Sequence, residues 1–147
     1  MPENKTETFL DLTGDVRDWV GSGLNEPKDW VGQNITLGVK RDKQLIAGIV
    51  FHDIRPKIDV WLTIFSTDKR WCNKRILRAV FDIAFDFLEC RRVSVRVDAF
   101  NEKSRKLVED LGFIKEGVLR LFENNGNDGI VYSMLKNECL WRTKENE

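Results

Sequence analysis

Between residues 74 and 100 the sequence changes its hydrophobic period, and this change limits the folds open to the chain. Ile76, Leu77, Val80, Phe81, Ala84, Phe87 and Leu88 recur at the spacing of one helix face, which predicts a helix over 74–89. Arg78, Asp82, Asp86 and Glu89 fall mostly elsewhere on its surface. The next stretch, RRVSVRVDAF, alternates instead, with Val93, Val95 and Val97 on one side of a strand. A second helix follows over 101–111, stopped by Gly112 at the position past its last turn. Long helix, strand and helix in succession, with strands on either side, imply one α/β domain over 1–147 with a mixed sheet.

The remaining elements fit that architecture. Residues 8–12 read as a first strand, and Asp15 as the N-cap of a short helix over 16–22 with Trp19 and Val20 on its inner face. Gly21, Gly23, Asn25 and Pro27 end it, and a second helical turn is expected near 28–32. Residues 35–41, 44–51 and 58–65 read as three neighbouring strands, with a two-residue turn at Asp42 and Lys43 and a break at Arg55 and Pro56. A strand over 113–122, a hairpin turn in NNGNDG and a return strand over 130–135 complete the sheet. A short helix over 137–142 and a frayed KENE tail close the chain.

Composition removes several function classes. The 147 residues carry 24 basic and 24 acidic side chains, a balance that gives no pull toward nucleic acid or an anionic membrane. Cys72, Cys90 and Cys139 are widely spaced and form no CxxC pair, which argues against a disulfide framework or a zinc site and suits a reducing cytosol. The first residues, MPENKTETF, lack the pattern of a signal peptide, and no apolar run nears the ~20 residues of a membrane span. The expected location is therefore the cytoplasm.

One junction invites a ligand. FSTDKRWCNKR joins the end of a strand to the start of the long helix. Free backbone N–H groups and the positive end of a helix dipole gather at such a place and suit a pyrophosphate. Lys69, Arg70, Lys74 and Arg75 add positive charge. A solvated basic loop is the competing reading.

From Arg92 to Trp141 the chain resembles the C-terminal half of GNAT acetyltransferases, in particular the branch similar to ribosomal-protein N-terminal acetyltransferases. The residues that carry the likeness are the valine-rich strand, Asn101 and Ser104, the run Leu111, Gly112 and Phe113, then Glu116, Gly117 and Arg120, and finally Gly126, Asp128, Tyr132, Met134 and Leu135. With the helix over 74–89 included, the likeness covers about residues 60–141, while the first 55 or so match only in element order. Bacteriophage-borne members look especially similar, through Arg70 and Trp71 and through Cys139 and Trp141. That likeness suggests a phage-encoded protein acting in the host cytoplasm.

The resemblance implies a GNAT-like acyl-CoA N-acyltransferase fold with splayed central strands, acetyl-CoA as cofactor and an amine as acceptor. It implies that the strands over 58–65 and 92–98 splay, with backbone near Thr63, Ile64 and Phe65 bonding the pantetheine arm and polarising the acetyl carbonyl. Lys69, Arg70, Trp71, Cys72, Asn73, Lys74 and Arg75 would hold the pyrophosphate. One departure stands out. The family loop usually reads Arg/Gln-x-x-Gly-x-Gly/Ala, and the three positions here are Asp68, Trp71 and Asn73. Trp71 would crowd a phosphate unless its side chain points away, and Asp68 would repel one if it faced inward.

Asn101 is implied to approach the cofactor arm, beside its plain reading as a helix N-cap. Ser104 is a candidate general acid for the departing thiolate, because Val108 stands where many family members have a tyrosine. Glu123 matches the proposed general base, and a hairpin-end surface carboxylate is the simpler alternative. His52 and Asp59 are further candidates for that base, and Glu116 is expected to be structural. Trp61, Trp71 and Tyr132 could wall the acceptor groove or simply pack in the core. Cys72 lacks a neighbouring histidine, so direct attack is favoured over a ping-pong route.

Two rival readings remain open in the sequence. The altered loop suits a GNAT-fold module that binds protein without catalysis. A basic surface over residues 69–78 with Arg91, Arg92 and Arg96 suits an enzyme modifying nucleic acid or tRNA. A homodimer through the last strands or the C-terminal segment is compatible with apolar Leu140 and Trp141.

Overall fold

The turn at Asp42 and Lys43 sets the first hairpin: both residues are left-handed, with φ of 52° and 66°. Two such residues give a tight turn whose twist matches that of the strands. In the computed structural model, which describes residues 5–143, this hairpin joins β2 (Asn34–Arg41) to β3 (Gln44–Arg55). β1 (Thr6–Leu10) pairs antiparallel with β2, and β4 (Asp59–Ser66) pairs antiparallel with β3 after the break at Pro56. β5 (Arg92–Asp98), β6 (Ile114–Leu119) and β7 (Gly129–Leu135) complete a sheet of order β1-β2-β3-β4-β5-β7-β6. β4 and β5 run parallel and the other neighbours antiparallel, so the sheet is mixed as expected.

Both faces are covered, by different helices. α1 (Asp15–Gly23) lies over β2, β3 and β4, where Val16, Val20 and Val50 form a small buried cluster with Phe9, Trp19, Trp30 and Phe65 packed around it. α2 (Lys74–Asp82) and α3 (Glu102–Leu111) cover the opposite face and enclose the main core, which includes Phe51, Leu62, Phe81, Phe85, Val95 and Tyr132. Among the described residues no helix is long and apolar enough to cross a membrane.

Several local expectations are corrected. β1 starts and ends two residues early, because Asp11 leaves the strand to accept hydrogen bonds from Thr13 and from the Val16 amide at 3.0 Å. That bond serves the start of α1, so Asp15 is its first residue and not its cap; the cap position is Gly14, with φ 88°. No helical turn forms at 28–32, where Asp29 is left-handed with φ 60°, a conformation that interrupts a right-handed helix. The helix over 74–89 is α-helical only to Asp82 and continues as a π-turn, Ile83–Phe87, in which the Leu88 amide reaches the Ile83 carbonyl. The extra residue in that turn rotates Phe87 outward, where it is 74% exposed, while Phe81 and Phe85 stay stacked in the core.

β6 ends at Leu119, so the NNGNDG turn sits inside a longer connection over 120–128. That connection is closed by bonds from the Leu121 amide to Asp128 and from the Glu123 amide to the Asn127 carbonyl. The terminal helix shrinks to a single 3-10 turn, Lys136–Glu138, beyond which the Trp141 indole donates to the Leu111 carbonyl at 2.9 Å. The KENE tail lies outside the described residues. Gly112 stops α3 as expected, with φ 104°.

Candidate active site

β4 and β5 are paired only at Asp59↔Arg92, Val60↔Val93, Trp61↔Ser94 and Leu62↔Val95. Both strands continue past that point. Thr63, Ile64, Phe65 and Ser66 remain bound to β3, while Arg96, Val97 and Asp98 remain bound to β7. Two inner edges therefore face each other without a ladder between them, and the sheet opens as a wedge. Unpaired backbone N–H and C=O groups must find partners, and an extended ligand arm entering the wedge would supply them on both sides. At the apex, on the α2 and α3 face, Leu62, Ile64, Val95, Phe81, Val108 and Trp71 line an apolar cavity of about 20 Å³, among other residues.

The loop leading into α2 resolves the concern raised by its sequence. Trp71 is 2% exposed and belongs to the main core, so its ring points away from the loop surface. Asp68 caps the short 3-10 turn Lys69–Trp71 and is gripped by Arg70, whose Nε and Nη2 both reach its carboxylate. The Arg70 hydrogen bonds hold the Asp68 carboxyl well down, to about 2. The aspartate therefore faces its own arginine and not an incoming anion.

Asn73 caps α2 by accepting from the Ile76 amide at 3.0 Å. Lys74 and Arg75, the first two residues of the helix, have amides with no carbonyl one turn back inside it, so those amides are free for an anion. Lys69 and Lys74, on either side of Asn73, are both exposed. Arg75 does not add to it, because its guanidinium donates to the Thr6 carbonyl on β1. Cys72 is partly buried, and burial pushes its thiol up, which leaves it a poor nucleophile.

Asn101 caps α3, its side chain accepting from the Ser104 amide at 3.1 Å. Ser104 is half-buried in the first turn of α3, just beyond the wedge mouth at Asp98. Val108, one turn on, is buried against the cavity. Tyr132 is fully buried on the α3 face, where its hydroxyl donates to Glu109 at 2.7 Å, so it packs in the core and lines no groove.

The opposite face of the wedge carries the carboxylates. Alternation that buries Val93, Val95 and Val97 sends Ser94, Arg96 and Asp98 to the α1 side of the sheet. Arg96 Nε donates to Glu123 at 2.8 Å, and the guanidinium lies 4.7 Å from the centre of the Phe122 ring. Glu123 is thus brought onto β5 inside the unpaired segment. Asp98 ties down the 120–128 connection through Asn125 and Asn127, and its carboxyl is lowered chiefly by the Phe100 amide. The period-2 pattern of β5 alone places Arg96 and Asp98 on this face.

One other candidate base is moved away from the chemistry. Asp59 lies at the closed end of β4, 8% exposed, and accepts from Ser94 at 2.8 Å. Glu116 grips Arg92 at the same closed end, as a structural partner. His52, by contrast, sits over the start of the wedge, with Nε2 2.8 Å from the Thr63 hydroxyl.

No protein-family model matches the sequence. A curated protein of Bacillus subtilis (strain 168), "Putative ribosomal N-acetyltransferase YdaF", is 32% identical over 127 residues, spanning 75% of this chain and 67% of that protein. The chain belongs to the GNAT family of N-acetyltransferases. A solved structure described as "Probable acetyltransferase" shares 27% identity and a TM-score of 0.64 with this GNAT chain, covering 72% of it and 63% of its own length. A variant of the Vibrio cholerae spermidine N-acetyltransferase SpeG has a TM-score of 0.70, covering 88% of this chain and 93% of its own; at 17% identity it shows the shared fold. The mixed sheet with its split between β4 and β5 is thus a GNAT sheet, and this is an N-acetyltransferase.

Proposed function

We propose that this enzyme moves the acetyl group of acetyl-CoA to a primary amine by direct attack, the acceptor being a protein N-terminus, a lysine or a small amine. The observation that carries the reading is the wedge beyond Leu62 and Val95, which leaves one edge of each strand free for an extended arm. The residues fit that cofactor: the apex is apolar, Trp71 is turned inward, and Asp68 is neutralised by Arg70. Acetyl-CoA, when bound, supplies an activated acyl group.

The chain's own groups would do the rest. Backbone at Thr63, Ile64 and Phe65 holds the pantetheine amides and donates to the acetyl oxygen where charge develops. The Lys74 and Arg75 amides, with the Lys69 and Lys74 side chains, hold the pyrophosphate. The Asn101 side chain is committed to capping Ser104, which fixes the first turn of α3 beside the arm. Ser104 or a water protonates the departing sulfur. Glu123 orients the amine or takes its proton through water, with one carboxylate oxygen held by Arg96.

The residues considered for a nucleic-acid surface spend much of their charge inside the protein: Arg70 on Asp68, Arg92 on Asp59 and Glu116, and Arg96 on Glu123. That favours protein or small-molecule amines.

Thermal unfolding with acetyl-CoA is the direct test. At 100 times its dissociation constant the cofactor should stabilise the fold by about 2.7 kcal/mol. Turnover is then followed with three amine probes: a peptide with a free N-terminus, an N-terminally blocked lysine peptide, and spermidine. No stabilisation at millimolar acetyl-CoA would instead identify a GNAT-fold binding module.

A further inference from the structure

One polar side-chain array that takes no part in the transfer described above meets the wedge. His52 Nδ1 lies 2.6 Å from Asp53 Oδ2, and His52 Nε2 lies 2.8 Å from Thr63 Oγ1. Neighbouring residues of a strand normally point to opposite faces, so His52 and Asp53 should not touch. They do so because the β3–β4 register breaks after His52 and Asp53 is left-handed, with φ 47°. A bulge re-aims a side chain, and aspartate is among the few residues that tolerate this backbone region. Local strain of this kind costs free energy and persists where the surroundings enforce it.

For a neutral imidazole, one proton arrangement satisfies both contacts. A carboxylate only accepts, so Nδ1 carries the hydrogen shared with Asp53, and Nε2 of the neutral ring is left to accept from the Thr63 hydroxyl. Thr63 is the first β4 residue past the last β4–β5 pair. Alternation along β4 and β5 sends Thr63 to the same side of the sheet as Arg96 and, through it, Glu123. The imidazole is shielded, 15% exposed, while the Asp53 carboxylate is 74% exposed. The array therefore runs from the wedge through a covered ring to open water.

We propose that Thr63, backed by His52 and Asp53, is the proton exit for the attacking amine, with Glu123 left to orient that amine, an inference that rests on the acetyl-transfer reading above. As the amine nitrogen bonds to the acetyl carbon, its proton passes to Thr63 Oγ1 and the hydroxyl's own proton passes to His52 Nε2. The carbon–sulfur bond opens with its electron pair on sulfur, which takes a proton from Ser104 or water, and that donor regains one from solvent. The imidazolium faces the Asp53 carboxylate and releases its proton to solvent. Thr63 is the group at the reacting atoms; His52 and Asp53 position it and act through it. Trp30 at 6.1 Å and the cross-strand partners Asn34 and Trp61 are neutral, and Asp53 is the charged group bonded to the ring.

His52 is the only histidine in the chain, so its imidazole resonances can be followed by NMR without ambiguity. Adding acetyl-CoA should shift them in the native protein, and Thr63→Val should remove most of that shift while leaving acetyl-CoA affinity intact. With whichever of the three amine probes turns over, His52→Gln and Thr63→Val should each lower kcat about a hundredfold with little change in the KM for acetyl-CoA. Their double variant should be no worse than either single one, and Thr63→Ser should recover most of the loss. Acetyl-CoA binding without movement of the imidazole resonances, or a His52→Gln enzyme that is folded and within threefold of native kcat, would overturn the relay while leaving the transferase assignment standing. Absence of acetyl-CoA binding would remove both.

Discussion

Trp71→Ala should lower the free energy of unfolding by about 3–5 kcal/mol, the range for removing a large aromatic from a packed interior. The indole is 2% exposed and borders the same apolar cavity as Leu62, Val80, Phe81 and Val95. Deleting it enlarges a void at the point where the two halves of the sheet part, and the neighbouring strands cannot close over it without disturbing the wedge. The result is counterintuitive, because the family's loop carries glycine at this position. Trp71→Gly should be at least as destabilising, since glycine adds backbone freedom to the unfolded chain. It should not improve acetyl-CoA binding, because the native ring already points away from the phosphate side. Urea unfolding at neutral pH reads the effect; a loss below about 1 kcal/mol would mean that the ring does not sit in the core.

Arg92→Leu should cost about 3 kcal/mol at neutral pH. Arg92 reaches both oxygens of Glu116, donates to Ser94 at 3.2 Å and lies 3.6 Å from Asp59. Without it the buried Asp59 carboxylate keeps the Ser94 hydroxyl as its remaining side-chain donor. The defect should depend on pH in a defined sense. The Arg92 hydrogen bond holds the folded Glu116 carboxyl below its ordinary value of 4.5. A group lowered on folding adds stability that is complete above the unfolded value and fades as pH falls through the folded one. Native protein therefore loses this contribution on acidification, and the variant has none to lose. The gap between the two unfolding curves should narrow below about pH 4.5; a gap that stays constant would mean that Glu116 does not feel Arg92.

How much of this was readable in the chain follows from which interactions are local. The turn at Asp42 and Lys43, the Gly112 stop and the cap at Asn101 are set by residues within a few positions of each other, and all three form. The alternation of Val93, Val95 and Val97 placed β5 and, by complement, the polar face with Arg96 and Asp98. Periodicity could not reveal the π-turn over Ile83–Phe87, because one added residue per turn barely disturbs an apolar stripe of that length yet swings Phe87 into solvent. The inward direction of Trp71 was undecidable from the loop alone, since it depends on the space left between β4, β5 and α2.

The pairs that shape the site are distant in sequence: Arg96 with Glu123, His52 with Thr63, and Arg75 with the Thr6 carbonyl. No local pattern announces them. The bulge at Asp53 is intermediate: the break at Arg55 and Pro56 signalled an interruption, but not that it would turn Asp53 back toward His52.

The parting of β4 from β5 also bears on how the native molecule breathes. Past Leu62 and Val95, each strand is latched along one side only, so alternate amides of 63–66 and 96–98 lack a cross-strand lock. In deuterated water those positions should take up label well before the flanking stretch from Asp59 to Leu62, although they lie in the middle of a seven-stranded sheet. Saturating acetyl-CoA should slow that uptake, making the centre of the sheet its most ligand-sensitive region.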